Sequence, residues 1–179
     1  MEELFDVFDR EGNYLGIQPK SYCHSSNPGV YHKPVWIWIM NKNGDILLQK
    51  RAANKKWLPN KWDSSATGHV TAGETILQGC QREVFEELGL KAKETEFEFW
   101  AEYIADTVWE IGQVYKLEKD VEINELKMQE EEVSEIKWFA FNEFEKIFYS
   151  DDFVPYDLAY KDMIMTNIKN TIYNQSKTI

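Results

Sequence analysis

The chain is short of cysteine, of positive charge and of long apolar runs, and each shortage removes a class of protein. Cys23 and Cys80 are the two cysteines in 179 residues, which is no disulfide framework. Lys and Arg number 20 against 31 Asp and Glu, a formal net charge of -11. That balance argues against a nucleic acid polymer as partner, because such binding needs cations to displace counterions. The longest apolar run, VWIWIM at Val35–Met40, is far too short to span a bilayer, so no membrane partner is expected. The opening MEELFDVFDREGNYLG lacks the apolar segment of a secretory signal. A reducing cytoplasm is the expected location. There is no internal repeat, low-complexity tract or Gly/Ser-rich linker.

What remains suits one mixed α/β domain over residues 1–179. Seven Trp, nine Tyr and ten Phe supply aromatics for a core or a ligand pocket. Leu4–Asp9 and the residues after Glu11–Asn13 read as a hairpin turning at Gly12 and Asn13. A Pro-bearing loop, IQPKSYCHSSNPGVYHKP, follows. Trp36–Met40 and Ile46–Arg51 are β-branched or aromatic runs joined by the Asn41–Asp45 turn, and Lys61–Gly68 reads as extended. Further strands are expected at Glu96–Ala105, Gly112–Lys119 and Ile136–Phe141, and closing helices at Glu143–Tyr149 and Tyr156–Asn170. Cys80 is expected in the core, and so are most of Trp57, Trp62, Trp100 and Trp109, although any of these rings could stack on a base.

One central helix stands out. At about 100° per residue, Ile76, Leu77, Cys80, Val84 and Leu88 form an apolar stripe, and Gly89 sits where a left-handed cap belongs. Glu83 and Glu87 flank the stripe one turn apart, and Glu86 lies further round toward Arg82. Like charges at this spacing repel by roughly 0.2–0.5 kcal/mol per pair, and the C-terminal end of a helix disfavours anions. A solvated acidic face is one explanation. The other is a bound cation, and hard carboxylate oxygens suit Mg2+ or Mn2+ together with phosphate oxygens and water.

The spacing carries a resemblance. Gly68, five residues, Glu74, seven residues, then Arg82-Glu83-Val84-Phe85-Glu86-Glu87-Leu88-Gly89-Leu90 is similar at every position to the Nudix box, G-x5-E-x7-R-E-U-x-E-E-x-G-U with U aliphatic. The strand order resembles the Nudix α/β/α sandwich with a mixed β-sheet over about residues 30–165, flanked by the N-terminal hairpin and C-terminal helix. The resemblance implies metal-dependent hydrolysis of a diphosphate bond in a nucleoside-diphosphate-linked or related small molecule. It implies Glu83, Glu86 and Glu87 as metal ligands with backbone from Gly68, and Arg82 as the residue orienting the carboxylates. Glu74 would brace the loop, and either Glu86 or Glu87 would be the general base.

A narrower resemblance is to the type I isopentenyl-diphosphate isomerase branch of the same superfamily. Lys20, His24 and His32 resemble that branch's lysine and first two metal histidines, and His69 its third. KRAANKK resembles its basic diphosphate-binding segment, with Arg51 and Lys55 one turn apart were that piece helical. Lys20, Arg51, Lys55 and His69 are therefore expected at the substrate. The isomerase cysteine is matched here by Thr67, which cannot do thiol proton chemistry. The later acidic residue is matched by Gln113, with Glu110 three residues away. Hydrolysis is the expected activity. Isomerase-like turnover and a non-catalytic nucleotide sensor are the alternatives. Glu130–Glu132 could add a carboxylate or simply be solvated, and the oligomeric state, monomer or homodimer, stays open.

Overall fold

The computed structural model describes residues 2–26 and 28–177. Its centre is strand β3 (Pro34–Met40), every residue of which is buried. Successive side chains leave opposite faces of a strand. Trp36, Trp38 and Met40 accordingly enter one apolar cluster, and Val35, Ile37 and Ile39 enter another. Burial on both faces explains why PVWIWIM reads as an unbroken apolar run.

Around β3 the sheet takes the order β5-β4-β3-β8-β7, with β6 also on β3 and β9 on β4. These strands are β4 (Ile46–Arg51), β5 (Trp62–Asp63), β6 (Ala66–His69), β7 (Phe97–Ala105), β8 (Glu110–Glu118) and β9 (Val133–Phe139). The β3–β8 pairing is parallel and the others are antiparallel, so the sheet is mixed. Helix α2 (Ile76–Leu88) lays Cys80, Val84 and Leu88 on one face, as the stripe required. Helices α3 (Phe141–Phe148) and α4 (Leu158–Ser176) cover the other face through Phe144, Phe148, Tyr160, Ile164 and Ile168. The result is an α/β/α sandwich with a mixed sheet.

The N-terminal hairpin forms from β1 (Leu4–Phe8) and β2 (Tyr14–Pro19). Its second strand runs further than expected, and Lys20–Cys23 is a helical turn, α1, rather than loop. The KRAANKK piece is not helical. Arg51 pairs with Val133 in the sheet, and the loop after it closes through Arg51 N–H to the Lys61 carbonyl (2.9 Å) and Asn60 N–H to that of Arg51 (3.1 Å). Helix α4 starts two residues late because Asp157 caps it, accepting the Tyr160 N–H at 2.9 Å. Strand β8 starts two residues early, at Glu110.

One close approach fixes how β8 meets β3. A Cβ added at Gly112 would stand 2.0 Å from Cζ3 of Trp36. That ring is held edge-on by Tyr156 and Tyr160, at centroid distances of 5.8 and 5.1 Å. Gly112→Ala is expected to cost about 1–3 kcal/mol through overpacking. In a thermal melt that is a drop of several degrees, and an unchanged midpoint would contradict the packing described.

Candidate active site

Helix α2 is a rigid mount. Thr75 caps it, with its hydroxyl accepting the Gln78 N–H and Gln78 returning a bond to the Thr75 N–H at 2.9 Å. Gly89 ends it in the left-handed conformation, φ 66°. From this helix Arg82 reaches four partners. Its Nε and Nη2 donate to the two oxygens of Glu74 at 2.9 and 3.0 Å, and Nη2 also donates to the His69 carbonyl at 2.8 Å. Its Nη1 donates to Glu83 at 2.7 Å and Glu86 at 3.2 Å. Glu74 in turn accepts the Thr71 N–H at 2.9 Å. One guanidinium thus ties the loop after β6 to the helix and aims two of its carboxylates. Charged partners on both sides raise the Arg82 pKa further above its ordinary value.

The third carboxylate is set differently. Glu87 is 5% exposed, and one of its oxygens accepts from the Thr67 N–H at 2.9 Å and from Gln49 Nε2 at 3.1 Å. Burial, reinforced by the charge of Glu83, holds Glu87 well above the usual carboxylate range, and burial also raises Glu83 against the pull of Arg82. Glycine at position 68 leaves room for this arrangement, since an added Cβ would lie 2.0 Å from the Glu83 carboxylate carbon and displace that side chain from its place beside Arg82. Glu86 is half-exposed. Buried hard-oxygen donors with one arginine among them are a donor set that fits Mg2+ or Mn2+.

The helix carboxylates and the residues expected at the substrate line one cleft of about 610 Å³, whereas His32, Glu74, Glu110 and Gln113 do not line it. Glu83, Glu86, Glu87, Arg82 and Gly68 line it together with Lys20, Arg51, Lys55 and His69. The cations are already engaged: Lys20 with Glu3, Lys55 with Glu132, and Arg51 with Asp63 at 3.3 Å. Glu131 and Glu132 of the acidic run also line the cleft.

Beside the cleft lies a second group of donors. One ligand atom each from His24, His32, His69 and Glu110 falls within 4.8 Å of the others. His24 Nε2 and His32 Nε2 stand 3.2 Å apart, and the Nε2 atoms of His32 and His69 are each 3.6 Å from Glu110 Oε1. Phe5 of the hairpin stacks on His69 and His32, with centroids at 4.9 and 5.3 Å. Burial pushes His32 down to about 3 and His69 to about 4, so both rings are neutral with lone pairs free to ligate. Buried His32 Nδ1 and His69 Nε2 have no hydrogen-bond partner among the described residues. Three imidazoles and a carboxylate suit a transition metal better than Mg2+. Gln113 turns elsewhere, donating to Glu102 at 2.7 Å.

An α/β/α sandwich that sets a helix of clustered carboxylates against a glycine on the neighbouring strand is a recognisable class of protein. The NUDIX domain family model matches residues 30–157, and the chain belongs to the Nudix hydrolase family. It is 37% identical over 133 residues to a Nudix hydrolase of Listeria monocytogenes, covering 72% of this chain and 75% of that one. It is 30% identical over 164 residues to the isopentenyl-diphosphate Delta-isomerase of Corynebacterium efficiens, covering 87% and 84%. Nudix hydrolase 3 of Arabidopsis thaliana is 32% identical over 171 residues, and the match spans 88% of this chain but 22% of that protein. A solved structure from Deinococcus radiodurans shares the fold, with TM-score 0.70 at 18% identity over 94% of this chain and 98% of the other.

Gln49, which holds Glu87, carried no sequence signal, because its role comes from β4 lying under α2. Glu110 had only its nearness to Gln113. The neutral histidines give a pH test. Their folded pKa values lie below the ordinary 6.5, so the unfolded chain takes up protons that the folded chain refuses. Stability present above pH 6.5 is therefore lost as pH falls toward about 4 and then about 3. In chelator-treated protein the urea midpoint is expected to fall across that range, with a shallower fall in His32→Gln. A flat midpoint would contradict the buried, neutral assignment.

Proposed function

We propose that the protein hydrolyses a diphosphate bond in a nucleoside-diphosphate-linked or related small molecule, with Mg2+ or Mn2+ held by Glu83, Glu86, Glu87 and backbone at Gly68. The observation that carries this reading is the convergence of three α2 carboxylates, two of them buried or nearly so, with Lys20, Arg51 and Lys55 in one cleft. A bare buried carboxylate is costly, and a divalent cation between it and a polyanionic substrate offsets that cost. When bound, the cation supplies Lewis acidity toward the phosphoryl oxygens and the attacking water.

The chain's own residues do the rest. Glu87, with one oxygen tied to Thr67 and Gln49, keeps the other oriented without rotamer freedom. Glu86, exposed at the cleft and steadied by Arg82, takes the proton from water as the water oxygen bonds to phosphorus. The bridging P–O bond breaks, and the leaving phosphate carries the electron pair. Lys20 and Lys55 meet the phosphate charge directly, with Lys55 exchanging Glu132 for substrate. Arg51 adds its positive charge from the cleft wall with its donors committed to Asp63 and the loop backbone, and His69 lines the same cleft. The four-donor group at His24, His32, His69 and Glu110 fits a second, softer metal that would order the wall beside Gly68. Two free, buried cysteines suit a cytoplasmic location, and among the described residues no helix is long and apolar enough to cross a membrane.

The isomerase reading has the Corynebacterium relative in its favour. Against it stand Thr67, with no thiol, and Gln113, whose amide is committed to Glu102. A panel of diphosphate compounds with Mg2+, separating phosphate release from isomerisation, decides between them. Glu86→Gln and Glu87→Gln are each expected to lower hydrolysis by about 10²–10⁴-fold with the far-UV spectrum unchanged. Full rates in both would remove the site from this cleft. Glu83→Ala is expected to lose most of the thermal shift that Mg2+ gives the parent, and equal shifts would count against its role as a ligand.

A further inference from the structure

The loop between β4 and β5 shows an aromatic ring where aromatic rings are rarely left. Of the seven tryptophans in the chain, Trp57 is the exposed one, at 72%, and it lines the cleft. Among the described residues lining that cleft it is the one apolar side chain. Every other group there is charged, polar or glycine.

The exposure is built. Leu58 and Asn60 adopt φ 50° and 60°, on either side of Pro59. For a branched residue such as leucine this left-handed conformation is strained and needs its surroundings to enforce it. Arg51 does so. Its Nη2 donates to the Trp57 carbonyl at 3.1 Å and its Nε to that of Leu58 at 3.2 Å. Its Nη1 grips Asp63 at 3.3 Å, and that carboxylate is fixed in the core by the Tyr156 hydroxyl at 2.7 Å and the Ser64 N–H at 2.8 Å. A chain of bonds thus runs from the core to the backbone of Trp57 and holds its ring out at the cleft.

We infer that Trp57 is a stacking platform for a nucleobase, with Arg51 as the residue that positions it, so that the substrate is of the nucleotide type rather than a prenyl diphosphate. This rests on the diphosphate reading above and narrows it. A base presents a flat face to the ring and polar edges to neighbours such as Lys56 and Asn54, which also line the cleft. A prenyl tail needs an enclosed apolar wall, and one lone exposed ring does not make one.

The test compares three non-hydrolysable probes by calorimetry with Mg2+ on the intact protein: methylenediphosphonate, α,β-methylene-ADP and dimethylallyl methylenediphosphonate. The expected result is that α,β-methylene-ADP binds about tenfold or more tighter than methylenediphosphonate. That ratio should collapse in Trp57→Ala, persist largely in Trp57→Phe, and shrink in Arg51→Lys, which keeps the charge but loses the fork. Binding of methylenediphosphonate with no nucleotide advantage, or a larger advantage for the dimethylallyl probe, would overturn this inference alone. A ratio surviving in Trp57→Ala would do the same, and one intact in Arg51→Lys would overturn the positioning role. No binding of any probe would overturn the diphosphate reading with it.

Discussion

The cleft depends on one guanidinium. Arg82 binds both oxygens of Glu74, the carbonyl of His69 at the end of β6, and two of the three carboxylates on its own helix. Without it the like charges on α2 would repel one another, and the guanidinium tie from the helix to the end of β6 and the loop carrying Glu74 would be lost. With it, Glu83 is brought so close to Gly68 that no Cβ fits between them. The arrangement still leaves more negative than positive charge at the helix, which is the physical reason to expect a further cation there.

The N-terminal hairpin belongs to this site as well as to the fold. Phe5 is 1% exposed and forms the floor beneath His32 and His69, while Glu3 holds Lys20 at the rim. The short α1 turn then delivers His24, and an isolated bridge joins His32 to Glu110 at the start of β8. Four donors from four separate segments meet there, three through β pairing and His24 through the α1 turn. The softer donor group and the carboxylate helix adjoin because His69 directly follows Gly68.

How much of this was legible in the sequence depends on distance along the chain. Glu83, Glu86, Glu87, Arg82 and the Gly89 cap sit at fixed spacings on one helix, so their geometry followed from 3.6 residues per turn. The stripe on α2 was legible for the same reason, and β3 was legible as a strand from its β-branched and aromatic run. The depth of Glu87 was not, because it depends on Gln49 and Thr67 across the sheet. Nor was the loop after Arg51, where a basic run with helical spacing gave way to strand pairing with β9 and a closed, strained turn. Of the four tryptophans expected mostly in the core, Trp62 is buried there and Trp100 packs against it, but Trp109 lies outside it against Tyr31, and Trp57 is exposed because Arg51, anchored on Asp63, holds it out.

On this reading the α2 carboxylates form a cation site facing a diphosphate. Anomalous diffraction from crystals grown with Mn2+ and a non-hydrolysable diphosphate addresses it most directly. The account predicts manganese density within coordination distance of Glu83, Glu86 and Glu87, bridging them to phosphoryl oxygens. Well-ordered ligand elsewhere, with no anomalous signal beside those three side chains, would contradict it.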